Sequence, residues 1–175
     1  FGIDQVTDLK VDANQNIYIT GSALDMSAMY DIRTIKLDTA LNILWSHSYD
    51  GGTGANDFGS GVTIDQSGNV IVCGTSQTSS NGTNYVVLKY NSSGTLLWDE
   101  TYNGTANGND SATAVVVHPT DTNKIYVTGY SFNGSTKDYY TLKYDAAGTR
   151  KWEIGYNNIY NGDDRAFAIT LDTTG

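Results

Sequence analysis

The chain has 175 residues and carries 10 Lys+Arg against 19 Asp+Glu, a formal charge of −9. That length can bury a sizeable core in one or two domains, and 39% hydrophobic with only 17% charged residues excludes a chain disordered by charge. An acidic, Lys-poor chain is unsuited to the phosphate backbone of nucleic acid, no apolar run approaches the roughly 20 residues of a membrane span, and a single cysteine excludes an intrachain disulfide framework or a Cys-rich zinc site.

Short β patterns follow one another along the chain. Asp4 opens a first group, with strands predicted at 6–12, 17–22, 32–37 and 43–49. Asp57 opens a second, at 59–65, 70–76, 85–90 and 96–102. Asp110 opens a third, at 112–118, 124–130, 138–144 and 150–156, with a turn at 119–123 and a polar loop at 131–137. Residues 112–118 (ATAVVVH) are apolar and β-branched, as befits a strand buried on both faces. Asp164 starts a fourth group, of which only a first strand at 165–172 is expected. No segment carries a helical period.

The groups are copies. Trp45, Trp98 and Trp152 are spaced by 53 and 54 residues, and Lys36, Lys89 and Lys143 by 53 and 54. Gly21, Gly74 and Gly129 are spaced by 53 and 55, and Asp4, Asp57, Asp110 and Asp164 by 53, 53 and 54. Four residue classes sharing one period define repeats at 4–56, 57–109, 110–163 and, in part, 164–175. A four-stranded meander recurring every ~50 residues is the pattern of a β-propeller blade. The expected fold is therefore all-β, a propeller of four-stranded antiparallel blades, with about three and a third blades present.

Several repeated residues have structural reasons. Gly68 and Gly94 suit the left-handed positions of tight hairpins, so Gln15 and Leu41 at the equivalent places predict looser or different turns. Trp98, on an outer fourth strand, can cover the seam to a neighbouring blade. Asp4, Asp57, Asp110 and Asp164 can accept backbone N–H bonds from the loops before them. Their second reading is calcium ligation, which needs six to eight oxygens and has no Asp-x-Asp-x-Asp loop here to supply them.

The string IYVTGYS…KDYYTLKYDAAGTRKWEIGYN at 125–157, recurring at 17–49 and 70–103, resembles the bacterial SBBP β-propeller repeat. The resemblance covers essentially the whole chain, with Cys73 standing where Thr20 and Thr128 stand and Leu41-Asn42 replacing a Gly-Thr pair. It implies an exported or cell-surface protein, often large, in which the propeller is a scaffold or recognition module. The Gly-x-x-x-Trp hairpins (Gly94 to Trp98, Gly148 to Trp152) are also similar to the tryptophan-docking motif of quinoprotein propellers and, more faintly, to the Asp-box of sialidases. Both motifs are structural there and imply no enzyme.

A propeller needs roughly 4–8 blades to close. The shortfall leads us to expect further blades of a longer chain, or a second copy, to complete the ring. A start at Phe1 rather than Met agrees with an upstream segment having been removed or never included.

Chemistry is sought in residues that break the repeat. His47 and His118 lie on different repeats and form no metal pair. Cys73, on an apolar strand, reads as an inert buried thiol. The sequence holds no Gly-x-Ser-x-Gly, Walker or dinucleotide fingerprint, and neighbouring carboxylates such as Asp163-Asp164 and Asp99-Glu100 lack a third feature that would make them an acid/base pair. No catalytic residue or cofactor is assigned.

The loops offer more. Those at 23–30, 77–84 and 132–137, with those at 50–56, 103–109 and 157–163, are expected at one end of the propeller, rich in Gly, Ser, Asn and Thr. Leu24, Met26, Met29, Tyr30, Phe132 and Tyr160 add apolar or aromatic contacts suited to a protein or glycan partner. Asn81, Asn91, Asn103, Asn109 and Asn133 begin N-glycosylation sequons. Thr39 and Ser111, in Asp-Thr-Ala and Asp-Ser-Ala, are candidate O-glycosylation sites by similarity to a bacterial acceptor. The alternatives to a binding module are a structural subunit of a surface assembly and part of a propeller hydrolase or lyase whose site lies in other blades.

Overall fold

The structure is a computed structural model that describes residues 4–26, 29–52, 54–78 and 82–172. It contains twelve β-strands and, among the described residues, no helix, so none long and apolar enough to cross a membrane. β1 (Gln5–Val11), β2 (Ile17–Leu24), β3 (Tyr30–Leu37) and β4 (Ile43–Tyr49) form the first sheet. β5 (Asp57–Ile64), β6 (Val70–Gln77), β7 (Thr83–Tyr90) and β8 (Leu96–Tyr102) form the second. β9 (Ser111–His118), β10 (Asp121–Phe132), β11 (Lys137–Tyr144) and β12 (Arg150–Tyr156) form the third. Each sheet is antiparallel with its strands in chain order.

The three fourth strands match their predicted bounds. In the third repeat the turn expected at 119–123 is shorter, because β10 already begins at Asp121, paired with His118, and re-enters register at Ile125. Residues 165–172, expected to be a strand, belong to no ladder. A strand needs a partner's N–H and C=O groups, and no second strand of that copy is among the described residues. The Ala166 amide does bond Gly129 O at 3.3 Å, and Thr113 Oγ1 donates to Ala166 O at 2.8 Å. Thr7 Oγ1 bonds Gly59 O in the same way at 2.7 Å, two repeats earlier. Ala166 thus occupies the place against the third sheet that Gly59 occupies against the first.

The expected change of turn at Gln15 and Leu41 does not occur. Their φ angles are 64° and 65°, in the same left-handed region as Gly68 at 75° and Gly94 at 90°. The backbone bonds also match: Gln15 N–H to Asp12 O and Leu41 N–H to Asp38 O repeat Gly68 N–H to Asp65 O. The reason lies in the residue that opens the turn. Asp12 Oδ1 accepts from the Asn14 and Asn16 amides, and Asp38 Oδ1 from those of Ala40 and Asn42, at 2.8–2.9 Å. This aspartate cage imposes the turn, and the side chain at the left-handed position bears the strain.

Alternation along the strands of the second sheet sends side chains to both neighbours. Val70, Val72, Val86 and Leu88 pack with Tyr18, Ile32, Trp45 and Tyr49 of the first sheet. Ile71, Cys73, Tyr85 and Val87 pack with Val115, Val117, Val127 and Leu142 of the third. Each such side chain removed from water contributes about 1.5–3 kcal/mol.

The tryptophans lock the sheets in sequence. Trp45 Nε1 donates to Ser92 O of the second sheet's last hairpin at 3.3 Å, and Trp98 Nε1 to Ala146 O of the third's at 3.0 Å. A Cβ at Gly94 would lie 2.9 Å from the Trp45 ring, and one at Gly148 2.8 Å from Trp98. Glycine therefore serves twice in this hairpin, once for its positive φ and once for the ring that lies on it. Trp152 is 41% exposed, and Ile154 and Tyr156 on the same strand are 62% and 60% exposed.

Candidate functional site

The site begins with the repeated aspartates. Asp57, at the start of β5 and fully buried, accepts from the Gly51 amide at 2.7 Å and the Gln77 amide at 3.2 Å. Asp110 accepts from Gly104 N at 2.6 Å, Phe132 N at 2.9 Å and Ser131 Oγ at 2.7 Å. Asp164 accepts from both the amide and the side chain of Asn158, and Asp4 from Leu24 N at 3.1 Å. Each repeated aspartate thus staples the sheet-to-sheet loop, the end of a second strand, or both.

A second repeated contact was not anticipated from the sequence. Asn56 Oδ1 accepts from Tyr30 N at 3.0 Å, Asn109 Oδ1 from Thr83 N at 3.2 Å, and Asp163 Oδ1 from Lys137 N at 3.0 Å. These bonds tie the loop between second and third strands to the loop entering the next sheet, so the two sets of loops do lie together. The signal is an Asn or Asp immediately before each of Asp57, Asp110 and Asp164.

Between the first two sheets these loops enclose a carboxylate cluster. Asp31 opens β3 beside Tyr30, Asp50 follows β4, and Asp57 starts β5. One carboxylate oxygen from each lies within 4.8 Å of the others. Among the described residues this is the one group of three or more potential metal-ligating side chains so close together. Asp31 is 7% exposed, whereas Asp50 faces solvent. Burial, and then the charges of Asp25, Asp50 and Asp57, push the Asp31 carboxyl above its ordinary value against a bond from Ser48. Burial also raises Asp57, in spite of its bonds from Gly51, Ser76 and Gln77. The cluster can hold a cation or share protons.

The predicted contact residues separate into two groups. Met26 and Tyr160 are 106% and 87% exposed, and Met29 is exposed as well. Tyr30 instead packs on Phe58, ring centroids 5.8 Å apart, and Phe132 lies over Gly108, leaving no room there for a Cβ. Thr39 is exposed at the tip of the β3–β4 hairpin, while Ser111 is half-buried with its Oγ 2.5 Å from Thr75 Oγ1. Among the sequons, Asn91 and Asn133 use their side-chain oxygens to cap turns, and Asn109 is committed to Thr83. Asn81 lies outside the described residues.

The repeat-breaking residues have packing roles. His47 stacks on Tyr90 at 5.6 Å with a 9° interplanar angle, beside Trp45. His118 Nδ1 caps Thr120 at 3.2 Å. Cys73 is fully buried, and burial pushes its thiol pKa far up. No protein-family model matches the chain, and no curated protein matches its sequence.

Proposed function

We propose that the chain is a segment of a β-propeller of the bacterial SBBP-repeat kind, exported or displayed at the cell surface, which binds or scaffolds a protein or glycan partner through its loop end. The observation that carries this reading is the contrast between frame and loops. Three sheets repeat one strand order, and the first two lock onto the next through Trp45 and Trp98, while the loops tied by Asn56, Asn109 and Asp163 differ in sequence from repeat to repeat. A rigid frame with variable Gly/Ser/Asn loops is a common design for recognition. Exposed Met26, Met29 and Tyr160 supply apolar contact there.

The test is a glycan array and a panel of surface-protein fragments probed with wild-type chain and with a Met26→Ser/Tyr160→Ser variant. Binding lost in that variant but kept in Thr39→Ala, at a hairpin tip, supports recognition by the loop end. Equal binding by both variants refutes it.

A second reading, a structural subunit of a larger assembly, is favoured by the exposed Trp152, Ile154 and Tyr156. Their repeat equivalents Trp45, Tyr49, Trp98 and Tyr102 all pack against a following sheet. Coverage of this face by a further sheet of the same kind, or by a second copy, gives the strand a dry interface. A native mass near twice 18.9 kDa that reverts on Trp152→Ser supports the second copy.

A further inference from the structure

We propose that the groove along β4, between the first and second sheets, is a docking site for an arginine side chain of a separate protein. The groove encloses about 440 Å³ between His47, Ser48 and Tyr49 on one side and Tyr90, Thr95 and Leu96 on the other. Its wall is aromatic, since His47 stacks on Tyr90 at 5.6 Å. No lysine or arginine lines it. It lies on a strand edge and not on the loops, so it does not rest on recognition by the loop end.

The seam between the second and third sheets shows what such a groove holds. Tyr102 is the repeat equivalent of Tyr49, and Arg150 that of Leu96, for Arg150 pairs with Tyr144 as Leu96 pairs with Tyr90. There the Arg150 guanidinium lies 5.0 Å from the Tyr102 ring centroid and 3.3 Å from Glu153 Oε2. The first seam keeps the ring and the carboxylate but lacks the guanidinium. Asp99 stands where Glu153 stands, three residues after Leu96, and accepts from the Tyr49 hydroxyl at 3.2 Å. Asp99 has no ion-pair partner among the described residues. Tyr102, beneath Arg150 and stacked on Tyr140, is 4% exposed, whereas Tyr49 is only partly buried and Leu96 is 43% exposed. A guanidinium entering from outside would meet the surroundings that Arg150 finds within the chain. Its plane stacks on a tyrosine ring while its N–H groups reach a carboxylate, which the compact ammonium of lysine does less well. The formal charge of −9 draws a basic partner towards the site.

The experiment titrates the full chain with a Gly-Ser peptide bearing one central arginine and follows its NMR shifts. Saturable shifts at Tyr49, Thr95 and Leu96 are expected. The same peptide with citrulline, which keeps the shape and loses the charge, should bind about fivefold or more weakly. Asp99→Asn, a change to an exposed side chain, should weaken the arginine peptide to a similar degree, and added salt should act in the same direction. Leu96→Arg gives the first seam the side chain that the second already carries. It should abolish peptide binding and leave Tm at or above the wild-type value. Asp121→Asn, at a distant turn, should change nothing. Absence of saturable shifts at Tyr49, Thr95 and Leu96 overturns the proposal, as does equal affinity for the arginine and citrulline peptides. Unchanged binding by Leu96→Arg overturns it too, and if that variant does not fold, Asp99→Asn and the citrulline peptide decide. A doubled native mass that Leu96→Arg abolishes would give the groove to a second copy and refute a separate partner.

Discussion

Lys89 Nζ lies 3.2 Å from a carboxylate oxygen of Asp65, and the two side chains are 3% and 0% exposed. The repeated lysine does something different in the other sheets. Lys36 sits over the Tyr18 ring at 5.1 Å and Lys143 over Tyr126 at 5.5 Å. In the first sheet the Tyr18 hydroxyl takes the aspartate instead, donating to Asp12 at 3.0 Å. The second sheet has Ile71 at that place, so its lysine reaches the carboxylate directly. Lys89→Met leaves Asp65 buried without its counter-charge and should cost about 3–5 kcal/mol, read from the urea midpoint. A Lys89→Met/Asp65→Asn double variant should recover most of that loss. If the single variant unfolds at the wild-type midpoint, the pair contributes nothing.

Gly148 has a φ of 86° and lies under the Trp98 ring, whereas Gly52 has a φ of 81° and open space around it, with nothing within 4 Å of where a Cβ would stand. Gly52→Ala therefore incurs only the left-handed backbone cost of about 1–2 kcal/mol. Gly148→Ala adds a clash with the ring and should be worse by a further ~1–3 kcal/mol, with Trp fluorescence shifted to the red. Equal melting temperatures for the two variants would show that the ring does not need the glycine.

Leu41 holds a left-handed φ of 65° while 66% exposed. Leu41→Gly relieves the backbone and loses little packing, so a gain of up to about 1 kcal/mol is expected. Destabilisation would mean that the leucine makes a contact that outweighs the strain.

Asp38 illustrates the acid dependence. Side-chain and backbone bonds from Asn42, then a backbone bond from Ala40, hold its pKa below the ordinary 3.8 against some burial. A depressed folded-state value means that its contribution is present above the unfolded value and lost as pH falls through the folded one. The stability difference between wild type and Asp38→Ala should therefore shrink as pH falls below about 5. A pH-independent difference would assign the effect to backbone conformation instead of charge.

Cys73 is wholly buried against Gly61 and its thiol is held protonated by burial. Disulfide reagents at about pH 8 should label it only at the rate of unfolding, since the thiolate is the reactive form. Rapid labelling in native buffer would contradict its place in the core.

The strands are legible because their signals are local. β4, β8 and β12 fall at their predicted bounds because each starts after a turn and ends at a repeated tyrosine: Tyr49, Tyr102 and Tyr156. The turns at Gln15 and Leu41 depart from expectation because the aspartate opening the turn imposes its geometry, and glycine only eases it. Residues 165–172 match the pattern of a first strand, but hydrogen bonding to a partner, not pattern, makes a strand. The carboxylate cluster cannot be read from spacing at all. Asp31 and Asp57 are 26 residues apart in sequence and belong to different sheets.

The sequence by itself determined the period, the four-stranded unit and the residues that each unit repeats, because alternation and turn chemistry act over a few neighbouring residues. Only the tertiary structure decided what those residues touch. It set Trp45 and Trp98 on the glycines of the following hairpin, gave Lys89 alone a buried carboxylate, and brought Asp31, Asp50 and Asp57 together. Those contacts depend on how one sheet stacks on the next, and the stacking is set by burial over the whole of both faces rather than by any local signal.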